Sequence, residues 1–180
     1  ALHDLSGGSD RPVTTDGSWY GDFAGQSALA KDGARIAYSW FNSKANRYEL
    51  RVATLSANGA PQPRKLYDSG DVTYIEPLDW SSDGRSVAVV LQRTDRTAQI
   101  GILSVGDGAI RILKSVDWRG PTRMFFSPDG ANLAFDLPPS DTVTQRDVFV
   151  LAIDGSREVA AVVHPARDTV MGWSPDGSQL

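Results

Sequence analysis

Short apolar runs alternate with polar residues through most of the chain, and glycine-bearing turns cut the runs at regular intervals. The stretch "FFSPDGANLAF" (Phe125 to Phe135) sets two apolar segments around a tight polar turn. The same pattern returns in "MGWSPDGSQL" (Met171 to Leu180), "LDWSSDGRSVAVV" (Leu78 to Val90) and "SALAKDGARIAYSW" (Ser27 to Trp40). Aligned on the turn glycine, the copies fall at Gly33, Gly84, Gly130 and Gly177, roughly 45–50 residues apart. Four residues before each glycine stands a large apolar residue: Leu29, Trp80, Phe126 and Trp173. Three residues after it stands an aliphatic one: Ile36, Val87, Leu133 and Leu180. Period-two alternation on both sides of a turn predicts hairpins, and no helical period is present.

The turn has its own chemistry. Proline presets φ for the first corner of a type I turn, and aspartate suits the second corner and accepts nearby backbone N–H groups. Glycine then takes the left-handed conformation that a Cβ penalises. The pairs Asp32-Gly33, Asp83-Gly84, Asp129-Gly130 and Asp176-Gly177 are therefore expected to be structural turns. With one Asp in each repeat, they are not expected to hold a metal. A second β-rich segment follows each copy: "YELRVATL" (Tyr48 to Leu55), "AQIGILSV" (Ala98 to Val105) and "DVFVLAID" (Asp147 to Asp154). Each runs into a further turn, at Asn58-Gly59, Asp107-Gly108 and Asp154-Gly155, and then into a strand with polar edges.

One repeat is thus four antiparallel strands, the size and content of a propeller blade. The N-terminus fits the same frame, Leu5-Ser6-Gly7-Gly8 aligning with Ile153-Asp154-Gly155-Ser156, as the third and fourth strands of a blade. The expected architecture is an all-β partial β-propeller: the end of one blade (1–26), whole blades at 27–70, 71–115 and 116–163, and the start of another at 164–180. Because the half blades cut inside a hairpin, the chain reads as part of a longer polypeptide whose remaining blades or domains lie outside it.

Composition narrows the possibilities. The 180 residues are 41% hydrophobic, enough for a core, with a net charge of −4 and a pI near 5.1. No basic stripe is available to neutralise phosphates, so no nucleic-acid partner is expected. No apolar run approaches the ~18 residues of a spanning helix, so no membrane insertion is expected. The absence of cysteine removes disulfides and thiolate chemistry.

Candidate chemistry is sparse. The only histidines are His3 and His164, neither has a partner at metal-ligand spacing, and no G-x-S-x-G elbow occurs. No catalytic residue, cofactor or metal is therefore assigned. If the chain binds something, the loops between blades and those joining second to third strands share one face. They bring Tyr74, Trp118, Arg119, Arg123, His164 and Arg167 forward as candidate partner-binding residues, because aromatic and arginine side chains dominate binding hot spots. Trp118-Arg119 is the leading pair. Trp80 and Trp173, at the repeat's own apolar position, are expected in the core.

The segments "FSPDGANLAF", "WSPDGSQL" and "WSSDGRSVAV" resemble the propeller repeats of the bacterial TolB family. They are also similar to repeats of tricorn protease and of the propellers of prolyl oligopeptidase and dipeptidyl peptidase relatives. The first copy departs most, with Ala30-Lys31 in place of Ser-Pro. The resemblance implies rings of six to eight blades, and a bacterial, periplasmic or secreted module that binds a protein or peptide without catalysis. The alternative it implies is a gating, substrate-selecting propeller of a serine peptidase whose catalytic domain lies outside this chain. A sensor propeller joined to a kinase or DNA-binding domain is a third expectation.

Overall fold

The computed structural model describes every residue except 2, 4–7, 9, 15, 16, 19, 56–60 and 141. Of the expected turns, Leu5-Ser6-Gly7 and Asn58-Gly59 lie outside the described residues. Among the described residues, twelve strands form three antiparallel four-stranded sheets, each a sequential meander. The first sheet holds β1 (Phe23–Leu29), β2 (Arg35–Asn42), β3 (Arg47–Thr54) and β4 (Gln62–Tyr67). The second holds β5 (Val72–Trp80), β6 (Ser86–Arg93), β7 (Ala98–Ser104) and β8 (Ile110–Val116). The third holds β9 (Met124–Phe126), β10 (Asn132–Leu137), β11 (Asp147–Ala152) and β12 (Glu158–Val162). The sheets are propeller blades in an open arc, the first touching the second through β5 and the second touching the third through β9. The chain is a partial propeller.

Each repeat turn closes as its residues dictate. The glycines have φ of 68°, 65°, 73° and 72° at Gly33, Gly84, Gly130 and Gly177. Each donates its N–H to the carbonyl three residues back, from Gly33 to Ala30 (2.8 Å) and from Gly84, Gly130 and Gly177 to Ser81, Ser127 and Ser174 (2.9 Å). The aspartate accepts the N–H two residues on: Asp32 from Ala34, Asp83 from Arg85, Asp129 from Ala131, Asp176 from Ser178. The serine before it adds a bond absent from the sequence argument. Ser127 Oγ–H donates to Asp129 Oδ1 (2.5 Å) while Oγ accepts the Asn132 N–H (2.9 Å), and Ser81 and Ser174 repeat the pattern.

The core lies between blades. Leu50, Val52 and Leu66 of the first blade meet Ile75, Trp80, Val87 and Val89 of the second. Ala88, Val90, Ile100 and Ile102 of the second meet Phe126, Leu133, Phe135 and Leu151 of the third. The middle strand β6 is apolar on both faces because a blade presses on each side, so its alternation is weaker than that of a half-exposed strand. Strands β2 and β10 have a blade on one face and, on the other, Val13 for β2 and Val170 with Trp173 for β10. Val13 packs on Tyr38, Trp40 and Ala53, covering the face of the first blade turned away from the second.

Polar bonds join the blades at repeated positions. Trp80 Nε1–H donates to Ala28 O (2.9 Å) and Trp173 Nε1–H to Phe125 O (3.1 Å), equivalent positions in the second and fourth repeats. Trp80 is fully buried and Trp173 half-buried. Phe126 has no such donor, and there the bond changes hands: Asp79 Oδ2 accepts the Phe126 N–H (2.8 Å). On the outer strands, Arg64 donates to Val105 O and Arg111 to Ile153 O, again equivalent positions.

Candidate functional site

Strand direction gives the arc two ends. The Asp-Gly turns and the second hairpin turns share one end, the turn face. The connections 43–46, 68–71, 94–97, 117–123, 138–146 and 163–170 share the other, the loop face. All six candidate residues lie on or next to the loop face.

One buried ion pair organises the third-blade side of that face. Asp136, the single charge inside the apolar run of β10, is fully buried. It accepts the N–H groups of Thr122 (2.8 Å) and Arg123 (3.1 Å), the Thr122 hydroxyl, and Arg146 Nη2–H (3.1 Å). Arg146 Nη2 also donates to Gly120 O (2.6 Å) and Asp136 O (3.0 Å), and Arg146 O accepts the Asp168 N–H (2.8 Å). Three loops, 117–123, 138–146 and 163–170, are thereby fastened together. A buried carboxylate is tolerable only when its lone pairs are filled in this way.

The fastened loop presents Trp118, 62% exposed. Beside it, Arg119 Nε–H donates to Asp117 Oδ1 (2.6 Å) and its Nη1–H to Pro138 O (2.8 Å), which bridges blades two and three. This guanidinium holds the Asp117 carboxyl below its ordinary pKa. Arg119 borders a cleft of about 500 Å³ with an apolar floor of Val116, Leu137, Pro138, Pro139 and Phe149. Lys114 and Glu158, paired at 2.7 Å, close one side. Pro139 also borders a second cleft of about 400 Å³ lined by Val143, Asp147, Val163, His164 and Pro165. Arg119 and His164 thus border two neighbouring clefts that share Pro139. At the second, His164 Nδ1 accepts the Ala166 N–H (3.1 Å).

The other candidates lie elsewhere. Arg123 directs Nη1–H to Met171 Sδ (3.1 Å), and Arg167 is exposed. Tyr74 belongs to an aromatic cluster between the first two blades, edge-on to Tyr48 at 4.6 Å, with Phe23 and Phe41 behind it. Burial and the nearby Glu76 carboxylate raise its phenol pKa. Sequence reasoning missed Asp136 and Arg146, although a charge inside "NLAFDL" is a readable sign of a buried polar anchor. It also missed the cleft floor, whose residues look like ordinary strand ends. Among the described residues, no group of three or more His, Asp or Glu is placed to hold a metal ion.

No protein-family model matches the chain, and no curated protein matches it in sequence. Solved structures do match in shape. TolB from Acinetobacter baumannii superposes with a TM-score of 0.64 at 24% identity, over 81% of this chain and 34% of that one. A prolyl endopeptidase matches with a TM-score of 0.63 at 14% identity, over 88% of this chain and 25% of that one. The β-propeller domain of the Trilobed protease from Pyrococcus furiosus, whose topology is an open velcro, matches at 0.51 and 14%, over 78% and 43%. The chain spans about a third of the TolB structure. At these identities the likeness establishes the fold: an open arc of β-propeller blades similar to those of TolB and of peptidase propeller domains.

Proposed function

We propose that this chain is a non-catalytic binding and scaffolding module that presents its loop face to a protein or peptide partner. The observation that carries the reading is Trp118, an exposed indole on a loop pinned by the Asp136–Arg146 pair and set beside a cleft. A rigid aromatic anchor loses little conformational freedom on binding, the property that makes such residues hot spots. Arg119 and His164 supply the polar groups at the clefts, and Arg123, Arg167 and Tyr74 are proposed to extend the surface beyond them.

Peptides selected from a random phage-displayed library on this chain should lose affinity at least about tenfold on Trp118→Ala. Enriched peptides that bind the variant equally well would remove the anchor from the reading. The chain alone should also turn over no peptide or ester substrate. Turnover abolished by His164→Ala would replace the binding module with an enzyme. A bacterial periplasmic or secreted setting belongs to the same proposal, and fractionation of cells expressing the full-length protein checks it.

A further inference from the structure

A cleft of about 500 Å³ opens at the turn face, on the opposite end from the loop-face clefts. Its walls are Phe125, Phe126, Trp173 and Pro128, and its charged residues are Asp79 and Lys31. Asp79 occupies the repeat position held by Ala28, Phe125 and Gly172 in the other copies, so the repeat itself does not require a carboxylate there. One of its oxygens accepts the Phe126 N–H at 2.8 Å. Among the described residues no cation stands within ion-pair distance of the other. The two acidic groups buried most deeply elsewhere each have a cation, Glu49 with Arg51 at 2.5 Å and Asp136 with Arg146 at 3.1 Å, while Asp79 shares its lack of an ion pair with Glu76 and Asp147. Burial accordingly raises the Asp79 pKa, and exposed Lys31 offsets this only in part.

A carboxylate partly removed from water, without a counter-ion and beside aromatic rings, matches one ligand chemistry. An ammonium group gains charge-assisted hydrogen bonds from the carboxylate, and ring faces attract the positively polarised carbons around it. The Trp173 indole is already fixed in place by its bond to Phe125 O (3.1 Å), and the cleft volume suits a small molecule. We propose that this cleft binds an organic ammonium ion, an amine with an aromatic or aliphatic tail, the ammonium at Asp79 and the tail against Trp173 and Phe125. Lys31 acts against the ligand as a like charge at the rim. The site is separate from the loop-face clefts and does not depend on them.

Asp79→Asn separates binding from structure, because its amide oxygen keeps the acceptor for the Phe126 N–H and loses only the charge. The probes are phenethylamine, phenylacetate and 2-phenylethanol: one tail with a cation, an anion and a neutral group. The readout is the Trp173 Nε1–H signal and the amide signals of Gly172, Trp173, Ser174, Asp176 and Gly177 in ¹H–¹⁵N NMR spectra of the 180-residue chain. Phenethylamine should shift these signals saturably, and the other two probes at equal concentration should not. Asp79→Asn should weaken phenethylamine at least about tenfold, and Lys31→Ala should tighten it. Equal shifts with all three probes, no saturable shift, or unchanged affinity in Asp79→Asn would each overturn the proposal. If Asp79→Asn fails to fold, the three-probe comparison and Lys31→Ala on the folded protein decide it.

Discussion

Ser127 shows what one hydroxyl does in a tight turn. It gives a hydrogen bond to Asp129 and takes one from Asn132, so a single oxygen closes both the corner and the hairpin behind it. Ser127→Ala should lower stability by about 1 kcal/mol, read as a lower urea midpoint at unchanged slope. An unchanged midpoint would mean that the aspartate alone sets the turn. Gly130→Val isolates a different cause. No atom lies within 4 Å of a Cβ built at Gly130, so its cost of about 1 kcal/mol or more comes from the left-handed backbone alone. The Asp-Gly pairs were legible in the sequence because positive φ selects glycine strongly. The serine was not, because its second partner lies five residues on and a serine before a turn has many other uses.

At the scale of the elements, the strands and their meander order were legible from period-two alternation and from turn spacing. The bonds between blades were not. Arg64 and Arg111 sit on outer strands and look like a solvated face, and only the three-dimensional repeat shows each reaching a carbonyl of the next blade. Asp68 joins elements in the same way, accepting from Arg47 Nε–H at the start of β3 (2.7 Å) and from Lys65 Nζ–H in β4 (2.9 Å). The Arg47 bond, helped by Lys65, holds its pKa at about 2 against an ordinary 3.8. The folded value is the lower one, so this contribution is complete above 3.8 and is lost as pH falls toward about 2. Glu76 and Asp79, raised by burial, carry the opposite sign and favour the folded state as they protonate. Asp68→Asn should therefore flatten the fall of thermal midpoint between pH 4 and pH 2, roughly the window its shift defines. An equally steep fall in the variant would assign the acid sensitivity to other carboxylates.

Across the whole molecule, the two ends of the arc have different work. Hairpin turns fill one end with local bonds. The other is held by the Asp136–Arg146 pair, whose buried carboxylate is hinted at by the charge inside "NLAFDL" but whose partners in three separate loops no local pattern names. For that reason the loop face was legible as a place, while the two clefts that Arg119 and His164 border on either side of Pro139 were not. Arg146→Ala leaves the Asp136 charge buried without its cation and should cost about 3–5 kcal/mol. It should also speed amide exchange in 117–123 beyond the rest of the chain, and uniform acceleration would mean the pair stabilises without positioning the loop.

The claim that the loop face is the binding face meets its most direct test in the hydrogen-exchange footprint of a library-selected peptide on this chain. The account predicts protection at 117–123 and 138–146, the two loops that carry Trp118, Arg119 and the prolines of the cleft floor. Protection confined to the turns around Asp129-Gly130 would put the partner on the opposite end and contradict it.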